Sequence, residues 1–200
     1  SHVCLLGADP VGPASSRQSP GELLRLLYLG AMGRSYDLET LFDAVERLNC
    51  DGAKVCLDVV GDGDKRPTLE ARQLPHVHFT GYLEGDQLEA RLRNADLGIV
   101  PFLSGSGVAI PYKAGEYLAY GLPLISSIDG ELGDLIRLYS CGSIYQSGQA
   151  DSLISALRAY LTDSQNLAEK KDAALKCFDA NFDRKKIYPE FAKWLEAIAN

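Results

Sequence analysis

Lys113 and Glu116 have the residue types and the spacing for ligand chemistry, in the stretch IPYKAGEYLAYGLPLIS that runs from Ile110 to Ser126. On a helix, positions three and four apart share a face, so Lys113, Glu116, Tyr117 and Tyr120 line up on one side. A cation there suits a phosphate, and a carboxylate one turn further on suits hydroxyls. The loop ahead of it, Phe102 to Ala109 (FLSGSGVA), carries Gly105 and Gly107, where the backbone can turn tightly or approach a ligand. Pro111 suits the first helical position. Gly121 suits the cap beyond the last turn, and Pro123 stops any continuation. A helix N-terminus after such a loop offers unpaired N–H groups and the positive end of its dipole, which attract an anion. The plainer reading is that a Lys and a Glu at this spacing form an ordinary solvated pair.

Other chemistries are poorly supported. The 200 residues carry a net charge of -7, with a pI near 5.0, which argues against a nucleic-acid or anionic-membrane surface. The five cysteines, Cys4, Cys50, Cys56, Cys141 and Cys177, are scattered without a C-x-x-C pair. Reduced thiols fit that pattern better than a disulfide framework or a zinc site. His76 and His78 flank Val77 with no carboxylate cluster in the sequence beside them, so no metal site is expected. The loop after the first predicted strand reads GAMGRSY, which fails the dinucleotide fingerprint, and the P-loop and nucleophile-elbow patterns are missing too. Gly61-Asp62-Gly63 is either a ribose or base contact or a plain strand-end turn. The apolar runs are strand-sized, with no signal-peptide or membrane-spanning segment.

The elements that must position these residues alternate in type. Strands are predicted at Leu24–Leu29, Lys54–Val60, Val77–Thr80, Leu97–Val100, Leu124–Ser126 and Ser143–Tyr145. Between them lie a helix with the stripe Leu38, Leu41, Phe42, Val45 and Leu48, capped by Asp37, and a short one over Thr68–Gln73. Another opens on an Asp86/Glu89 capping box and runs to Asn94. The short helix that starts at Pro111 and is capped by Gly121 follows, then one over Gly133–Tyr139. Three helices close the chain, the last with the stripe Ile187, Phe191, Trp194, Leu195 and Ile198. This alternation predicts an α/β fold: a Rossmann-like, doubly wound parallel sheet of about six strands with helices on both faces and extra C-terminal helices. In the common doubly wound order, strands one and four are neighbours where the winding reverses, so the loops Gly30–Tyr36 and Phe102–Ile110 open onto one crevice.

In order, the segments LLGADP, LLYLGAMGRSYDLETLFDAVERL, LDVVGDGD, VHFTGYLEGDQL, NADLGIVPF and IPYKAGEYLAYGLPLIS resemble the C-terminal half of a GT-B glycosyltransferase, within the group 1 (family 4) retaining enzymes. The resemblance implies that residues 1–21 are a hinge and linker from an acceptor-binding domain outside this chain. Residues 22–200 would then form the nucleotide-sugar-binding domain, with C-terminal helices over 161–200. It implies transfer of a sugar, with retention, from a nucleotide-diphospho-sugar (UDP- or GDP-sugar) to a sugar or lipid-linked acceptor, in polysaccharide or glycoconjugate synthesis. No permanently bound cofactor, metal or nucleic acid is implied. The setting would be cytoplasmic, with membrane contact only through the other domain, and without that domain the isolated chain is expected to be inactive.

Residue by residue, the resemblance gives Glu116 the ribose hydroxyls and Tyr82 and Leu83 the nucleobase, with Gly61 and Asp62 beside it. Gly30 and Gly33 would pass close to the diphosphate. The amides of Gly107, Val108, Ala109 and Ile110 would face donor sugar and phosphate. Three positions depart from the family pattern: Val108 stands where its first motif glutamate falls, and Ala31 and Tyr36 where its diphosphate-gripping Arg and Lys fall. Arg34 and Lys113 are the nearest substitutes as diphosphate stabilisers; no catalytic nucleophile can be named. The alternatives are a GT-B-like sugar-nucleotide epimerase and a non-catalytic nucleotide-sugar-binding module.

Overall fold

Alternate residues of β1 (Leu24–Leu29) enter different cores, which makes this strand the middle of the molecule. Leu24, Leu26 and Tyr28 join one apolar cluster, and Leu27 and Leu29 join the other. The computed structural model describes residues 5–11 and 23–199. Of the expected hinge and linker, residues 1–4 and 12–21 lie outside that range.

Five more strands join β1 in one parallel sheet: β2 (Val55–Val60), β3 (Val77–Gly81), β4 (Leu97–Val100), β5 (Leu124–Ser126) and β6 (Gly142–Ile144). Their order is β3-β2-β1-β4-β5-β6, so the winding reverses between β1 and β4, as the sequence pattern predicts. The first core is covered by α1 (Leu38–Cys50) and α6 (Ala150–Thr162), with Leu69 from the short α2 (Arg66–Glu70). The second lies under α3 (Gly85–Asn94), α4 (Tyr112–Ala119), α5 (Glu131–Tyr139) and α7 (Ser164–Asn181). The last helix, α8 (Arg184–Ala199), leaves Leu195 and Ile198 of its apolar stripe exposed. The segment LLGADP docks where α7 meets α8: Ala8 N donates to Phe182 O at 2.8 Å, and Asp9 pairs with Arg184 at 2.6 Å.

Several local expectations are corrected. Asp86 and Glu89 form no capping box; α3 has no side-chain cap bond, and Glu89 pairs with Arg93 at 2.7 Å one turn on. Asp37 stands at the N-cap of α1, but its carboxylate accepts from Gly148 N at 2.8 Å instead of from its own helix. Pro111 is the N-cap of α4 and not its first helical residue. The short helix over Thr68–Gln73 begins earlier, at Arg66. Apart from these corrections, His78 has a single carboxylate neighbour and no cluster among the described residues: Asp58 lies 3.3 Å from its Nδ1 and 3.0 Å from Arg91.

Candidate functional site

The crevice opens because β1 and β4 stay paired only over Leu26–Leu97 and Leu27–Gly98. Beyond those pairs the strands part, and the side chain of Tyr117, from α4, fills the gap. Its hydroxyl accepts from Leu29 N at 2.7 Å and donates to Leu27 O at 3.1 Å, taking the place of the lost ladder bonds. The ring lies on Gly98, where a Cβ would sit 2.4 Å from it, so only glycine lets the helix come this close. Tyr117 is therefore turned into the sheet, and Tyr120 packs under the Arg93 guanidinium, 5.5 Å from its ring centroid. Of the four residues on the predicted face, only Lys113 and Glu116 line the cavity.

The loops leaving β1 and β4 are tied together along their backbones. Asp37 N donates to Pro101 O at 3.1 Å and Leu103 N to Ser35 O at 2.9 Å, so Tyr36 and Phe102 meet with ring centroids 4.6 Å apart. Ser127 Oγ holds Phe102 in place, accepting from its N–H and donating to its carbonyl, both at 2.7 Å. The loops leaving β1 and β2 are also in contact: Gly30 N donates to Val60 O and Met32 N to Asp62 O. A Cβ on Gly61 would fall 2.1 Å from Gly30 O, so this glycine is required by close backbone approach.

Lys113 stands on the floor of this arrangement. It is 9% exposed, and its Nζ is buried with no hydrogen-bond partner. Three rings surround the nitrogen, with centroids at 4.4 Å (Tyr28), 4.5 Å (Tyr36) and 5.5 Å (Phe102). Burial lowers its pKa from 10.5 to about 7, against the pull of Glu116 in the opposite direction. Glu116 is half-buried, and the same desolvation raises its pKa, with Lys113 pulling it down. Burial, and not a partner, thus dominates both groups. A bound anion at Lys113 Nζ would supply the hydrogen bonds and the opposite charge that the ammonium lacks.

The cavity encloses about 720 Å³, a volume typical of small-molecule sites. Gly30, Gly61, Asp62, Tyr82, Leu83, Lys113 and Glu116, all expected at the site, line it, with Tyr112 and Glu84 at its walls. Gly33, Arg34, Gly107, Val108, Ala109 and Ile110 lie outside that lining, and Arg34 is exposed. The ring cage around Lys113 escapes sequence reasoning because it is drawn from three separate segments. Its only sequence signal is aromatic residues in or just beyond the two strands at the switch point.

A parallel sheet with its ligand-sized crevice at the point of reversed winding, floored by a lysine and a glutamate, has the architecture of the doubly wound α/β domains, in which that crevice is the usual ligand position. The chain belongs to the family of glycosyl transferases group 1, whose profile matches residues 24–163. It is 26% identical over 179 residues to a glycogen synthase of Mycobacterium tuberculosis, covering 87% of this chain and 42% of that protein. In structure it is similar to Anabaena Alr3699/HepE, solved in complex with UDP and glucose (TM-score 0.73, 17% identity, 88% of this chain and 48% of that one). The C-terminal domain of a group 1 family glycosyl transferase, LpcC from Francisella tularensis, matches equally well (TM-score 0.73, 15% identity, 88% of this chain and 99% of that one). The chain spans less than half the length of the curated relatives it matches. Among the described residues no helix is long and apolar enough to cross a membrane.

Proposed function

We propose that this chain is the donor-binding half of a retaining glycosyltransferase that uses a UDP- or GDP-sugar. The observation that carries the reading is the pair on α4: Lys113, its Nζ buried without a hydrogen-bond partner, and Glu116 one turn on, both lining the crevice at the switch point. The pyrophosphate would lie over Gly30 and the start of α4, reaching Lys113 Nζ. Glu116 would accept from the ribose hydroxyls, and the base would lie between Gly61-Asp62 and Tyr82-Leu83. Tyr82 is 77% exposed, leaving its ring free to be covered by a ligand. When the bond to the sugar breaks, negative charge grows on the leaving nucleoside diphosphate, and Lys113 with nearby N–H groups stabilises it. Arg34, exposed and outside the cavity lining, is less well situated for this role than Lys113.

The acceptor, a sugar or a lipid-linked one, would be supplied through a partner domain, together with any membrane contact and a cytoplasmic setting. UDP accompanies the similar HepE structure, which supports a nucleotide of this kind here. The test is calorimetric titration and thermal shift of the chain with UDP-glucose, GDP-mannose and ADP-glucose. Selective stabilisation by UDP-glucose or GDP-mannose over ADP-glucose is expected, since a ligand bound only by the folded state raises its stability by mass action. No binding by any of the three refutes the proposal.

A further inference from the structure

The aromatic cage around Lys113 has a consequence for how the donor binds, on the reading that the crevice takes a nucleoside diphosphate. A lysine that merely waits for phosphate would be expected to rest in water or against a carboxylate. Here the nitrogen is withdrawn among Tyr28, Tyr36 and Phe102 and has no acceptor. We propose that Lys113 is a proton-linked element of donor binding: uncharged while held among the three rings, and protonated when a pyrophosphate enters, so that binding takes up a proton from solution.

The surroundings favour the uncharged amine in the empty crevice. On its own helix the one charged neighbour is Glu116, whose attraction is outweighed by burial. From β1, Tyr28 donates its hydroxyl proton to Ala31 O at 2.5 Å and leaves only its ring face to the lysine. Its own pKa is raised, so it supplies no phenolate. In the loop after β1, Tyr36 also offers a ring face, while Asp37 is buried and bound to Gly148 N. At the exit of β2, Asp62 accepts from Gly63 N and pairs with Arg66, and Lys65 donates to Tyr36 O and Glu39. At the exit of β3, Glu84 is exposed at the cavity wall. The exit of β4 contributes the uncharged Phe102. The three ring faces attract an ammonium and offset part of the cost of burial, but none accepts a hydrogen bond in place of the lost water, whereas a diphosphate brings both acceptors and negative charge into the same space.

The linkage has a definite sign. A group titrating near 7 in the free chain and higher in the complex is protonated in both below neutral pH, so no proton is exchanged there. Above that point the free lysine must be charged on binding, and affinity falls roughly tenfold for each pH unit until the complex itself titrates.

The experiment is calorimetric titration of the 200-residue chain with UDP-glucose, GDP-mannose and ADP-glucose, in buffers of different ionisation enthalpy between pH 6 and 9. Each probe is a diphosphate diester without a phosphate proton to exchange near neutrality, so proton uptake reports the protein. Uptake rising from near zero at pH 6 towards about one per donor at pH 8.5 is expected, and lost in both Lys113→Arg and Lys113→Met. Binding without uptake, or uptake unchanged in Lys113→Met, overturns the proposal and leaves the assignment of the crevice standing. Binding of none of the three probes overturns both. The free chain gives a second measurement: with 13C at the lysine ε-carbons, the Lys113 signal, assigned by its absence in Lys113→Arg, should titrate near 7. A midpoint near the ordinary 10.5 overturns the proposal whatever the donor does.

Discussion

Replacing Lys113 with methionine should make this protein more stable while weakening the binding of any anionic ligand in the crevice. The magnitude follows from the burial of the nitrogen. A fall in pKa from 10.5 to about 7 corresponds to about 5 kcal/mol favouring loss of the proton, the cost of holding an ammonium there. Methionine keeps an unbranched, largely apolar stem and removes the polar atom, leaving a small gap among the three rings. Packing loss at that gap and the lost attraction between ammonium and rings offset part of the gain, so a net stabilisation of about 1–2 kcal/mol is expected at pH 7. The pH dependence is more diagnostic than the size. Between pH 7 and 10.5 the unfolded lysine holds a proton that the folded one has released, so the wild-type chain gains stability as pH rises through this window. The methionine variant lacks that gain, so its advantage should be largest at and below pH 7 and shrink steadily towards pH 10. Urea unfolding of both proteins at several pH values measures this directly. A variant that is less stable at pH 7, or whose advantage does not change with pH, refutes the account of a desolvated lysine.

Three further substitutions test other parts of the arrangement. Glu116→Gln should weaken binding of the nucleotide sugar by about 1–3 kcal/mol, the scale of a hydrogen bond to a charged group, and unchanged affinity by calorimetry would remove Glu116 from the ribose. Tyr117→Phe leaves Leu29 N–H buried without its acceptor and should cost about 1–3 kcal/mol in urea unfolding. A neutral result would mean that the parted strands do not depend on that hydroxyl. Gly98→Ala drives a methyl group to 2.4 Å from the Tyr117 ring and should destabilise by about 1–3 kcal/mol, read as a lowered Tm. If Tm holds, α4 can lift from the sheet at little cost.

Periodicity carried much of the architecture into view. The short apolar run Leu24–Leu29 and the helical stripe at Leu38–Leu48 are local patterns, the first buried on both faces as a central strand and the second along one face. The neighbouring positions of the first and fourth strands follow from a general rule of winding, so the two glycine-bearing loops could be assigned to one crevice before any coordinates. Cap chemistry was less legible. Asp86 and Asp37 both have the composition of helix caps, yet Asp86 leaves α3 without a capping box and Asp37 serves Gly148, far along the chain. A short carboxylate bonds whichever N–H the fold brings near, and a sequence window does not contain the distant one.

The helix face bearing Lys113, Glu116, Tyr117 and Tyr120 makes the same division clear. Spacing determined that these side chains emerge together, because 3.6 residues per turn leave no other choice. Tertiary structure decided what each one does there. The parting of β1 from β4 draws the Tyr117 hydroxyl into the sheet, and the zipped loops close Tyr28, Tyr36 and Phe102 around the Lys113 nitrogen. Charge and residue type are written in the chain, but desolvation depends on neighbours brought from distant segments, and it is desolvation that sets how Lys113 behaves.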